Sequence, residues 1–226
     1  PLYAPRRMKP FDLLLSTAYA PPISFFAKLY EYQGKAIGLE AQEHYLKQSY
    51  RNRCRILSPN GVQALTIPVE QSLSLKTKIR DVRISEHGSW RHLHAQALRT
   101  SYGASPFFEY YADELLPFYE RRYSFLWDFN EELLRVLIRQ LQLEVNWSAT
   151  EEFADPAEEC PETCDLRYVI HPKKRHSVAG LMRPPYYQLY RDRFGFVEEL
   201  SILDLLFEMG PESLLILRDS LTPSRG

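Results

Sequence analysis

Residues 11–18 form a short apolar run, with Leu13-Leu14-Leu15 at its centre, which reads as a buried strand. Pro21-Pro22 breaks the chain. Ile23, Phe26, Ala27, Leu29 and Tyr30 then recur at helical spacing up to Gly34, a natural stop. Residues 35–41 read as a second strand, and strand–helix–strand is the opening of a parallel sheet. Residues 53–58 run into the turn signal Pro59-Asn60-Gly61, and residues 62–69 return as the second arm of a hairpin. Pro68 sits near the end of that arm, where a missing N–H is tolerated. Residues 79–85 alternate Ile79, Asp81 and Arg83 against Arg80, Val82 and Ile84, the pattern of a half-buried strand.

Beyond Trp90 the period becomes helical. Ser89 can cap a helix that runs to Tyr102 and ends at Gly103 and Pro106. Residues 107–121 and 124–143 predict two more helices. The second carries the core stripe Phe125, Phe129, Leu133, Val136, Leu137 and Leu141. Residues 148–180 are acidic first and basic after, and are expected as a mobile crossover or lid. Residues 200–209 and 212–217 predict two short closing helices divided by Gly210-Pro211. The expected fold is therefore α/β: an N-terminal mixed sheet with a β-α-β opening, then a mainly helical C-terminal half. Residues 1–10 read as a basic, proline-bearing arm, and 11–221 as a single domain.

Composition narrows the function classes. A chain of 226 residues with 45% hydrophobic and 25% charged residues has ample material for a core. The formal net charge of −1 argues against nucleic-acid or membrane binding through bulk charge, so any anion must meet a local cluster. The basic Arg6-Arg7-Met8-Lys9 and the leucines after it imitate a signal peptide, but Asp12 and Ser16-Thr17 interrupt the run, which is read as the first strand. No run approaches the about 18 apolar residues of a spanning helix. Cys54, Cys160 and Cys164 are too few and odd in number for a disulfide framework, which points to a reducing, cytoplasmic compartment. Cys160 and Cys164 offer half a zinc site, with His171 and His176 the nearest further candidates and no second pair at finger-like spacing. No metal or cofactor is expected. Walker-type phosphate loops, dinucleotide glycine fingerprints and nucleophile elbows are absent from the sequence. Nothing in it sets an oligomeric state.

Three constellations can carry chemistry. Around Lys47, strand alternation would place Arg51, Arg53 and Arg55 on one face and Asn52, Cys54 and Ile56 on the other. Planar guanidinium forks suit phosphate or carboxylate. The plain alternative is a solvated basic strand balanced by acids such as Glu43. Of His87, His92 and His94, the last is the candidate acid or base; a packing histidine is the alternative. Arg183-Pro184-Pro185-Tyr186-Tyr187-Gln188 is a proline-stiffened strip that can present Tyr186 and Gln188 as donors. Asp204, within Ile202-Leu203-Asp204-Leu205-Leu206-Phe207, must be either paired or exposed, and an arginine is the expected partner.

These segments, in this order, resemble the WbqC-like proteins. The resemblance rests on residues 19–26 (Tyr19-Ala20-Pro21-Pro22-Ile23-Ser24-Phe25-Phe26), 47–56 and 65–69 (Leu65-Thr66-Ile67-Pro68-Val69). It continues through 79–84 with Trp90 and His94, Tyr102 with Pro106-Phe107-Phe108, residues 184–188, and 200–213. It implies a place in bacterial surface-polysaccharide (O-antigen) assembly, where an amino acid such as glycine is transferred to a sugar precursor. The pattern's His-Gln-Pro is Leu15-Ser16-Thr17 here, its His-Pro is Arg183-Pro184, and its Lys-His is Leu93-His94. A glycine-containing stretch is replaced by Asp165-Leu166-Arg167-Tyr168. Proton-transfer groups are thus lost. Lys47, Asn52, Arg53, Arg55, Tyr186, Gln188 and Asp204 are kept, with Tyr19, as expected ligand-binding residues. The expectation is an aminoacyl or acyl transferase of a divergent branch, acting on an anionic small molecule such as a sugar, nucleotide sugar or amino-acid derivative. The alternative is a non-catalytic accessory protein that keeps the anion pocket.

Overall fold

Leu13–Ser16 (β1), Ile23–Glu31 (α1) and Ile37–Glu40 (β2) form the β-α-β opening, with β1 and β2 parallel from Leu13↔Ile37 to Ser16↔Glu40. The computed structural model describes residues 11–70, 76–153, 155, 162–174 and 178–221. The expected arm at 1–10, Cys160 and His176 lie outside them. Two strands from much later in the chain complete the sheet: Trp147–Ala149 (β5) beside β2, and Cys164–Asp165 (β6) beside β1. The order is β5-β2-β1-β6, parallel throughout. Both late strands touch the span expected as a mobile loop. The antiparallel pairing sits apart, in the hairpin Arg53–Ser58 (β3) and Gly61–Thr66 (β4).

One predicted strand is corrected. Ile79–Asp81 is a single 3-10 turn, and only isolated bridges follow, Val69↔Ile84 and Arg83↔Phe125. The buried residues there are Ile79, Val82 and Ile84, a step of three and then two. Their backbone bonds reach different neighbours: Ile79 donates to Glu43, Ile84 to Ser124 and Ser85 to Pro68. The alternation records burial beneath a helix, without a partner strand to make a ladder.

Trp90–Tyr102 (α2), Phe108–Leu115 (α3) and Leu126–Gln140 (α4) follow predicted stripes, the single turn Arg191–Phe194 (α5), with no buried residue, is not foreseen by any, and Ile202–Met209 (α6) and Ser213–Asp219 (α7) are the predicted closing helices. α6 is nearly all buried, packs against α1, α2, α3, α7 and β3, and begins on Ser201, whose hydroxyl accepts from the Leu203 N–H. It ends at Gly210, where φ is +54° and a Cβ would lie 2.5 Å from the Phe107 ring. Gly210→Ala therefore combines a disfavoured backbone with a clash, and should cost about 2–3 kcal/mol by urea unfolding. A loss below about 0.5 kcal/mol would show that the Phe107 ring yields freely.

Candidate functional site

The chain leaves β1 toward β2 and β5, then returns to β1's other side as β6. In open parallel sheets the crevice beyond the carboxyl ends of strands at such a reversal is where ligands bind. Here Ser16 at the end of β1 with Thr17 and Ala18 after it, Leu166, Arg167 and Ile170 after β6, and Tyr50-Arg51 line a narrow cleft at that place.

Its floor is ionic. Arg51 forks onto Glu43, Nε to Oε1 at 2.8 Å and Nη2 to Oε2 at 2.5 Å, and Nη2 also donates to the Ser16 hydroxyl at 2.7 Å. Arg167 donates from Nη1 to Glu40 at 2.7 Å and from Nη2 to Asp165 at 2.6 Å. Ser16 in turn donates to the Arg167 carbonyl. Arg51, Arg167, Glu40 and Glu43 are each at most 2% exposed, so each charge depends on its partner. Tyr168 lies between the two guanidiniums as a cation–π partner, and burial lifts its pKa to about 12. His171 follows Ile170 of the cleft lining. Its Nδ1 accepts the Lys173 N–H, and burial and then the Arg51, Lys174 and Lys173 charges push its pKa down, so it is neutral at physiological pH.

Arg51 does not share the face of Arg53 and Arg55. The strand begins at Arg53, and Arg51 lies in the preceding turn, turned inward to Glu43. Arg53 and Arg55 do share a face, half-buried, opposite the buried Cys54 and Ile56. Arg53 Nε donates to the Thr66 hydroxyl, and Arg55 Nη1 to the Glu199 carbonyl. Among the described residues neither arginine makes an ion pair. Burial raises the Tyr45 pKa, and the Arg51 and Arg53 charges work against it. Lys47 is exposed just upstream. Asn52 is buried, and its amide donates to the Ile67 carbonyl, tying the hairpin's two arms at their base.

The other predicted residues form two separate centres. Tyr19 is fully buried, with its hydroxyl 2.9 Å from His94 Nδ1 and 2.8 Å from the Tyr119 hydroxyl. Burial lowers the His94 pKa to about 4, against a hydrogen bond to the Thr66 backbone that raises it. His94 is thus a neutral imidazole engaged on both sides. Through Thr66 it stands behind Arg53. Asp204 is 0% exposed, and its partners are not arginines. Tyr102 donates to Oδ1 at 2.7 Å, while Tyr186 and Gln188 donate to Oδ2 at 2.6 and 3.2 Å. Tyr102 itself accepts the Leu57 N–H. Neutral hydroxyls can reach this position where α2, α6 and the 186–188 strip meet. Burial raises the Asp204 pKa to about 6, and also raises that of Glu208, one turn along α6, to about 7.

Sequence reasoning missed the crevice. It named Glu43 only as a counter-charge and His171 only as a distant metal candidate, and it passed over Ser16, Glu40 and Arg167. The available signal was Asp165-Leu166-Arg167, an acid and a base two apart after a very short strand. Among the described residues no group of three or more His, Cys, Asp and Glu is placed to hold a metal, and no helix is long and apolar enough to cross a membrane.

The WbqC-like protein family profile matches residues 17–171, which contain α1, the basic segment, α2, α4 and the Arg167 turn. The uncharacterized protein Rv1507c of Mycobacterium tuberculosis is 32% identical over 191 residues, covering 75% of this chain and 81% of that protein. No solved structure matches. With the family profile spanning more than half its length and this relative covered over four-fifths, the chain belongs to the WbqC-like protein family.

Proposed function

We propose that the chain binds an anionic sugar or nucleotide-sugar precursor at the basic face of β3, beside the crevice, and serves aminoacyl or acyl transfer in cytoplasmic steps of bacterial surface-polysaccharide assembly. The observation that carries this reading is the pair Arg53 and Arg55. Two half-buried guanidiniums share a strand face, with one neutral hydrogen bond each and no ion pair among the described residues. Alternate residues on a strand lie about 6–7 Å apart, a spacing at which one phosphate or diphosphate can meet both. The buried Arg51–Glu43 pair holds the turn before them, so the cations are positioned before a ligand arrives. Preorganised charge of this kind can stabilise a transferring group without a covalent nucleophile.

For proton transfer, His171 is better placed than His94. It is neutral, follows the cleft residue Ile170, and has one ring nitrogen occupied by the Lys173 N–H. The sealed state of His94 is what favours the second reading, an accessory protein that binds the anion without turnover.

Calorimetric titration with a panel of nucleotide sugars tests the reading. Arg53→Ala and Arg55→Ala should each weaken a hit by about tenfold or more, since a charge-assisted hydrogen bond contributes about 1.5–3 kcal/mol. Binding unchanged in both variants would remove the site. Product detection by mass spectrometry separates transferase from accessory protein, and loss of product in His171→Gln with binding kept would assign the proton carrier.

A further inference from the structure

On the other side of the first turn of α1 from the crevice, α1, α7 and residues 181–199 line a narrow pocket, about 20 Å3 inside, that opens to solvent. Ile23, Ala27, Leu181, Phe196 and Ile216 give it apolar walls. Arg183, Glu198 and Glu199 interrupt them, so carboxylates outnumber guanidiniums by one in the lining. Arg183 and Glu198 face each other at 3.8 Å. Glu199 is 7% exposed, and its Oε2 accepts the Ser24 hydroxyl at 2.8 Å.

The backbone that sets Glu199 in place is unusual. Glu199 has φ +55° and Ala20 has φ +40°, and they flank the bridge Pro22↔Ser201. Non-glycine residues keep such values only where their surroundings over-determine them. Here Arg55 holds the Glu199 carbonyl, Ser201 Oγ the Ala20 carbonyl, and the Ile23 N–H the Leu200 carbonyl. Glycine would adopt this turn more readily, yet the chain carries a carboxylate there, buried in an apolar wall.

We propose that this pocket is a second ligand site, taking a primary ammonium group on a short aliphatic body, with the ammonium against Glu199 and the body against Ile23, Ala27, Phe196 and Ile216. A buried carboxylate is best satisfied by a cation with hydrogen-bond donors. The two carboxylates of the lining, Glu198 and Glu199, favour a cation over an anion, and the walls match methylene groups. Burial pushes the Glu199 carboxyl toward its protonated form, while the Ser24 hydroxyl and the Arg183 and Arg55 charges work the other way; an arriving ammonium adds to the second group and fixes the carboxylate as an anion. The site is independent of the anion face on β3 and is tested separately from it.

The chain has three methionines, Met8, Met182 and Met209, and Met182 sits at the mouth of this pocket, 57% exposed. Protein labelled with carbon-13 at the methionine methyls is titrated with n-butylammonium, n-butanol and butyrate. The Met182 methyl should shift saturably with n-butylammonium while Met209 stays still, and butanol and butyrate should give no saturating shift. Glu199→Gln should weaken the n-butylammonium effect by at least about tenfold, the loss of one charge-assisted contact. The exposed-rim variant Glu198→Gln should change it by less than about twofold. Butanol acting as well as n-butylammonium, a linear titration, or wild-type affinity in Glu199→Gln would overturn the proposal. The three-probe comparison uses unaltered protein, so it stands even if Glu199→Gln does not fold.

Discussion

Arg167→Met is expected to lower the unfolding free energy by about 3–5 kcal/mol, the usual result of removing one partner from a buried ion pair. Arg167 is 2% exposed, and it answers Glu40, 0% exposed, and Asp165 at once. Asp165 is partly exposed and can turn to water; Glu40 cannot. Glu40 keeps the Thr150 hydroxyl and the Gln42 N–H on Oε1, but its Oε2 loses the only partner described for it. Adding Glu40→Gln, which removes the orphaned charge, should recover part of the loss. Urea unfolding of the three proteins at neutral pH is the measurement. A loss under about 1 kcal/mol would mean that the pair is solvated and the floor of the crevice is not the closed ionic layer described above.

The parts of this architecture that sequence could reveal are those with a repeating pattern. Leu13-Leu14-Leu15, the turn Pro59-Asn60-Gly61 and the stripe of α4 each repeat a burial period or carry a turn signal long enough to read. β5 and β6 are three and two residues long, too short for an alternation to repeat and be read, and are strands only because β2 and β1 offer them edges. The sheet's order was illegible for that reason, and with it the crevice. The basic segment was legible as chemistry, since Arg53 and Arg55 do share a face, but Arg51 was misplaced because alternation says nothing about where a strand begins. Asp204 was legible as an acid that had to be either paired or exposed. Its partners were not, because nothing in the apolar run around it indicates that Tyr102 and Tyr186 arrive from two other elements.

Asp204→Ala should be nearly as damaging, at about 3–5 kcal/mol. It strips the common acceptor from Tyr102, Tyr186 and Gln188 inside the core, and each stranded donor costs about 1–3 kcal/mol. Gln188 retains the Val197 carbonyl, so the two tyrosines carry most of the cost. The variant should also change the pH profile. In the wild type, burial raises Asp204 to about 6 and Glu208 to about 7. The fold binds more protons than the unfolded chain between about pH 4 and 7, and these two groups make it less stable as pH rises through that window. His94, lowered to about 4, acts in the opposite direction below its ordinary pKa and offsets one of them. Removing Asp204 should therefore flatten the decline between pH 4 and 6, and should also draw the Glu208 part to lower pH, because burial and then the Asp204 charge raise that group. Thermal unfolding of wild type and variant across pH 4–8 reads both effects, and an unchanged slope would mean that Asp204 is ionised throughout.

The pairing of β1 with β6 has a further consequence during synthesis. Leu13 meets Cys164 and Leu14 meets Asp165, across roughly two-thirds of the chain. At a translation rate of about 5–20 residues per second, roughly ten to thirty seconds separate the making of one strand from the making of the other. Through that interval one edge of an apolar strand has no partner of its own and is a template for neighbouring chains. The nascent protein is thus most exposed to aggregation before Arg167 and its strand leave the ribosome. Truncations ending short of Cys164 should collect in inclusion bodies, while chains extended past it stay in solution.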